Sequence, residues 1–168
     1  HIVLDNADEK NAFVTSMNAI VDQWGFDGID IDLEGSSLNF KDINIANPGD
    51  ARQLLMMDAI KEIMSNHRTK HGKKLLLTMA PETIYVMGAL SEWAGAYRGA
   101  YLPMIEALKD SIDMLNVQLY NSGFMPGLDG EFYGQSTPDF ILALTEAAIK
   151  GFTAGDELGA YSGLPASK

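Results

Sequence analysis

Trp24-Gly25-Phe26-Asp27-Gly28-Ile29-Asp30-Ile31-Asp32-Leu33-Glu34-Gly35 is the stretch on which the fold turns. From Ile29 to Glu34 it alternates strictly, apolar at Ile29, Ile31 and Leu33 and acidic at Asp30, Asp32 and Glu34. A period of two is the signature of a strand. Side chains at i, i+2 and i+4 of a strand share one face, so three carboxylates stand in a row at steps of roughly 7 Å. The opposite face is three branched aliphatics, suited to lie beneath a helix layer. Acids set so close repel one another unless something uses them.

Outward from this strand, helices and strands alternate. Upstream, Phe13, Met17, Ile20, Val21 and Trp24 recur at steps of three and four, which predicts a helix over 7–24 with Asn6 or Asp8 as N-cap and Gly25 as C-cap. Downstream, Gly35 to Asp50 reads as a long polar loop, a length that favours function over mere connection. A second helix is expected over 51–70, with Leu55, Ala59 and Ile63 on one line, Ile60, Met64 and His67 beside it, and Gly72 at its end. Leu75 to Ala80 is a continuous apolar run closed by Pro81, as in a strand buried on both faces. A Gly- and aromatic-rich segment follows from Glu82 to Ala100, then a short helix over 101–109 with Pro103 in its first turn. Met114 to Tyr120 predicts a third strand and Pro138 to Lys150 another helix, while Ala160 to Ala166 reads as the start of a fourth strand. Such alternation implies βα units and a parallel sheet. No boundary divides residues 1–168, which read as one domain.

Composition narrows the function. The 168 residues are 46% hydrophobic and 21% charged, enough for one real core. A net charge of −11 and a pI near 4.5 argue against nucleic acid or an anionic membrane as partner. No apolar run is long enough to span a bilayer, and no signal-peptide layout is present. His1 in place of Met implies that the natural start lies upstream, so this says nothing of secretion. With no cysteine, disulfides and thiolate chemistry are absent from the chain.

The acidic strand admits three readings. It could be an edge strand with a solvated face, but the neighbouring strands have no comparable face. It could hold a hard cation through Asp27, Asp30, Asp32 and Glu34, yet a calcium loop sets its acids on a turn around a central Gly rather than along a strand. Acid/base chemistry fits better: crowded carboxylates push one of their number to keep its proton near neutral pH, which makes a general acid. Glu34, last on the strand, is the natural donor. No metal site is expected; His1, His67 and His71 read as solvated or helix-end histidines without ligand spacing. No cofactor is implied.

Asp27-Gly28-Ile29-Asp30-Ile31-Asp32-Leu33-Glu34 resembles the D-G-x-D-x-D-x-E signature of family 18 glycoside hydrolases, the chitinases and related endo-N-acetylglucosaminidases. Gln118-Leu119-Tyr120-Asn121 resembles that family's sixth-strand signature, and Leu77-Thr78-Met79-Ala80-Pro81-Glu82 its fifth strand and following loop. The resemblance covers nearly the whole chain. It implies an α/β fold, the parallel (β/α)8 TIM-type barrel, present as a partial barrel of about strands 4 to 7. A whole barrel needs roughly 250 residues. The family's Gly-rich third-strand signature is then expected before His1 and its eighth-strand tryptophan beyond Lys168.

The resemblance also implies a division of labour. Glu34 protonates the glycosidic oxygen and later activates water. Asp32 holds the substrate acetamide N–H, Asp30 shares charge or a proton with Asp32, and Tyr120 donates to the acetamide carbonyl. Gln118 and Asn121 place the sugar, with Met79, Ala80, Glu82 and Trp93 as further substrate-binding positions. Family 18 is an exception to the two-carboxylate retaining scheme, relying on the substrate's own acetamide. The expected function is a secreted, endo-acting chitinase, monomeric as a complete barrel, with chitin or chitooligosaccharides as partners. Alternatives are an endo-β-N-acetylglucosaminidase acting on N-glycans, or a non-catalytic sugar-binding fragment.

Overall fold

In the computed structural model, residues 1–92, 97–155 and 158–168 are described. A three-stranded parallel sheet in the order β1-β2-β3 is built from β1 (Gly28–Ile31), β2 (Leu76–Met79) and β3 (Met114–Leu115). Helices α1 (Ala7–Trp24), α2 (Ala51–His71) and α3 (Leu102–Leu108) precede the three strands in turn, and α4 (Pro138–Lys150) follows. Helix α1 begins where Asn6 accepts from the Glu9 N–H and ends at Gly25, whose φ of 66° lets its N–H return to the Val21 carbonyl. The buried stripe of α1 is Val14 and Val21, with Phe13 and Met17 at its shoulders. Ile20 and Trp24, expected on that stripe, are exposed. Helix α2 buries Met56, Met57, Ala59, Ile60, Ile63 and also His67, which is not solvated as the sequence suggested.

Ile29, Ile31, Leu33, Leu75, Leu77 and Met79 lie in the same buried cluster as these helix residues. The other parity of the sheet, with Asp30, Asp32 and Glu34 alongside Leu76, Thr78 and Met114, is open. The apolar run of β2 is therefore buried on one face only, and Leu76 is 47% exposed.

Two strands are shorter than expected, for identifiable reasons. β1 pairs only through Ile31, opposite Met79. Beyond it the Leu33 N–H finds no strand and donates instead to the Tyr101 hydroxyl at 2.5 Å. The third strand pairs over Met114–Leu115, although Asn116 and Gln118 still donate to the Met79 and Pro81 carbonyls. Pro81 has no N–H to return, so the ladder breaks there. The loop over 35–50 is less polar than its composition: Leu38, Phe40 and Ile45 are buried, and Asp50 ties it down by accepting from the N–H groups of Lys41 and Arg52.

Two hairpins went unforeseen. β4 (Phe124–Pro126) pairs antiparallel with β5 (Phe132–Gly134) inside the Gly-rich loop. β7 (Ala160–Tyr161) pairs antiparallel with β6 (Phe152–Thr153). The expected fourth strand is thus one arm of a hairpin rather than an addition to the parallel sheet. Gly151 and Gly163 enable that hairpin, since a Cβ on either would meet backbone atoms at 2.3 Å.

Candidate active site

The C-terminal end of the sheet gathers the acids. Asp30 stands opposite Thr78 in the β1–β2 register, and the Thr78 hydroxyl donates to the Asp30 carboxylate. Cross-strand neighbours on one face are close enough for such a bond. Gln118, carried alongside β2 by the β3 extension, points its Nε2 at three acceptors: the Ala80 carbonyl at 2.7 Å, Asp32 Oδ1 at 3.0 Å and Glu34 Oε1 at 3.4 Å. With three acceptors around it only the amide nitrogen can face inward, so the orientation of Gln118 is dictated by the site.

Two tyrosine hydroxyls hold the backbone that presents Glu34. Tyr101, fully buried, accepts from the Leu33 N–H and donates to the Ile31 carbonyl at 3.2 Å. Tyr85 accepts from the Gly35 N–H at 3.0 Å and bonds the Glu82 carboxylate. The two rings stack at 6.2 Å between centroids. Glu34 therefore lies between two amides, each tied to a phenol. Neither role was legible in the sequence: Tyr85 read as an aromatic of a long loop and Tyr101 as the start of a helix, and no spacing links a tyrosine to a strand more than fifty residues away.

The electrostatics follow from crowding. Partial burial, then the charges of Glu34 and Asp30, push the Asp32 carboxyl above the ordinary aspartate range, against the hydrogen bond from Gln118. Glu82 is pushed up as well, by burial and then by the Glu34 charge. Glu82 reaches the site through a parallel bridge to Gln118.

The remaining expected residues are not equally placed. Ala80 contributes its carbonyl. Tyr120 is 58% exposed, and among the described residues its hydroxyl makes no hydrogen bond to the acids. Asn121 is exposed and takes φ 54°, a left-handed conformation that asparagine tolerates. Met79 is fully buried on the parity of Leu75 and Leu77, a core residue rather than a lining of the open face. Asp27 stands at the far end of β1, paired with Lys73 at 2.8 Å, which removes it from the acidic row. Trp93 lies outside the described residues.

The sequence over residues 1–143 matches the model of Glycosyl hydrolases family 18. The chain belongs to that family. Among curated relatives of this family 18 chain are Chitinase ChiA of Flavobacterium johnsoniae, 42% identical over 175 aligned residues, and Chitinase D of Niallia circulans, 38% identical over 159. These alignments take in 100% and 94% of the chain but only 11% and 29% of the relatives, so the chain spans less than a third of either. A solved family GH18 chitinase from Chromobacterium violaceum superposes with a TM-score of 0.82 at 32% identity, over 98% of this family 18 chain and 41% of that one. The acids, Gln118 and the two phenols all fall within the matched region.

Proposed function

We propose that this family 18 chain carries the reaction centre of a chitinase that cleaves β-1,4-linked N-acetylglucosamine with retention, using the substrate's acetamide as nucleophile. The observation that carries the proposal is the graded row itself. Asp30 is tied to Thr78, Asp32 stands between its two acidic neighbours with its carboxyl raised by burial and their charges, and Glu34 is outermost with Gln118 reaching to both. Each position suits one task.

Glu34, at the open end, gives its proton to the glycosidic oxygen as the bond to the anomeric carbon breaks. The acetamide carbonyl oxygen closes on that carbon, forming a cyclic cation. Asp32 receives the acetamide N–H, and its carboxylate stabilises the positive charge. Electrostatic support where charge develops is the largest part of such catalysis. Asp30, on the same face of the strand, takes or returns the proton that Asp32 exchanges. Water then opens the ring, deprotonated by Glu34, and the acid is restored. Tyr120, whose side chain is exposed, would donate to the acetamide carbonyl, with Asn121 beside it.

On this reading β1, β2 and β3 are the fourth, fifth and sixth strands of a (β/α)8 barrel, the acids standing at the strand ends where barrel enzymes place their chemistry. A chitin-degrading enzyme works outside the cell, since the polymer cannot enter. Within the complete protein, Glu34→Gln is expected to lower kcat on a chitobioside by at least about a hundredfold, the usual scale for a lost general acid, while chitooligosaccharide binding survives. Asp32→Ala should be comparably impaired. Undiminished turnover in Glu34→Gln would exclude the assignment.

A further inference from the structure

At the opposite end of the sheet from the acids, α1 and α2 bring Asp22, His67 and His71 together. We infer that Asp22, His67 and His71 form a binding site for a divalent transition-metal ion of the zinc type, clamping α1 to α2. Their donor atoms all lie within 4.8 Å of one another. His67 and His71 are one helical turn apart, the spacing at which two imidazoles on one helix face share a metal. This overturns the expectation that the histidines lack ligand spacing.

An independent observation points to a ligand. His67 is 6% exposed, and among the described residues neither of its ring nitrogens has a hydrogen-bond partner. A buried imidazole without a partner carries a desolvation cost that the fold leaves uncompensated. Its ring lies 4.5 Å from that of His71, and it lines a cavity of about 120 Å³ with Asn18, Val21, Asp22, Asn66 and Lys70.

His71 Nε2 is 2.6 Å from Asp22 Oδ1. Tetrahedral zinc, with ligand bonds of about 2.0–2.1 Å, holds its ligands roughly 3.3 Å apart, so the pair opens by a fraction of an ångström to admit the ion. Water would complete the shell. The glutamate that follows the first histidine in hydrolytic H-E-x-x-H helices is replaced by Arg68, so the site is one of binding rather than hydrolysis. Lys70 opposes a cation: its Nζ holds Asp22 Oδ2 at 2.6 Å. It leaves Oδ1 to the histidines, and its 62%-exposed side chain can turn into solvent.

The test is calorimetric titration of the untagged complete protein with Zn²⁺, with Mg²⁺ in parallel. Zinc is expected to bind and to raise Tm. Asp22→Asn and the surface variant His71→Gln should each weaken binding at least tenfold while retaining chitinase turnover. Lys70→Met should tighten it severalfold, because the competing ammonium is gone. Substituting Co²⁺ should give the visible absorption of an imidazole-bound ion. Zinc affinity equal in wild type and His71→Gln, a Lys70→Met variant no tighter than wild type, or Mg²⁺ binding as well as Zn²⁺ would each overturn the inference.

Discussion

Glu34 is held in place by its neighbours more than by its own contacts. Among the described residues the Leu33 N–H has only the Tyr101 hydroxyl as acceptor, so Tyr101→Phe strands a buried donor. Such a loss costs roughly 1–3 kcal/mol, and we expect the urea midpoint to fall accordingly, with kcat/KM falling further than stability alone explains. An unchanged midpoint would contradict this role. Asp32 offers a test with a definite sign. Its carboxyl is raised above the ordinary aspartate value in the fold by burial and then by Glu34 and Asp30, so through the range where it titrates the folded state binds more protons than the unfolded chain. The contribution of Asp32 to wild-type stability therefore falls as pH rises through the window between its unfolded and folded values. Asp32→Asn keeps an oxygen for Gln118 but has no charge to crowd. Its Tm advantage over wild type should be absent near pH 3, grow through that window and level off above it. A difference independent of pH would show that crowding does not set the Asp32 carboxyl.

At the scale of elements, the close approach of β1 and β2 brings Thr78 to Asp30 and the Ala80 carbonyl to Gln118. Gly28 permits it. A Cβ there would stand 2.8 Å from Leu76 Cβ and 2.9 Å from the Leu76 carbonyl oxygen. Gly28→Ala must push the strands apart, an overpacking penalty of about 1–3 kcal/mol, measurable as a lower urea midpoint. The wild-type midpoint in this variant would mean that the strands are free to shift. The helices were the most legible elements because caps and periodicity are local: Asn6 and Gly25 bound α1, Asp50 and Gly72 bound α2, and Thr137 with Pro138 opens α4. The strands were less so. Where β1 stops depends on Tyr101, and where β3 stops depends on Pro81, just past the end of β2. The β4–β5 and β6–β7 hairpins lie in glycine-rich sequence with little alternation, so no period marked them.

At the scale of the molecule, the sheet is covered on one face only. Leu76 and Met114 are 47% and 51% exposed on the face that carries the acids. A cavity of about 300 Å³ beside β3 is lined by apolar groups, including Leu115, Val117, Leu144, Ile149 and Leu164. Exposed apolar area and unpaired strand edges favour association. The isolated 168-residue chain should therefore self-associate in a concentration-dependent way in sedimentation velocity, and Leu76→Ser with Met114→Gln should reduce it. A monodisperse monomer at all concentrations would show that these surfaces need no cover.

The alternation of the main helices with the first three strands and the parity of the acidic row are properties of contiguous residues, so the sequence alone determined them. Each depends only on side-chain periodicity along a few turns or strand steps, and the family was legible beside them as a resemblance of the acidic motif. The tertiary structure decided what depends on residues far apart in the chain: the bonds of Gln118 to Asp32 and Glu34, the two tyrosines holding the strand end, and the withdrawal of Met79 into the core. It also set Asp22 beside His67 and His71, read in the sequence as solvated or helix-end histidines, because only the packing of α1 on α2 brings that carboxylate there.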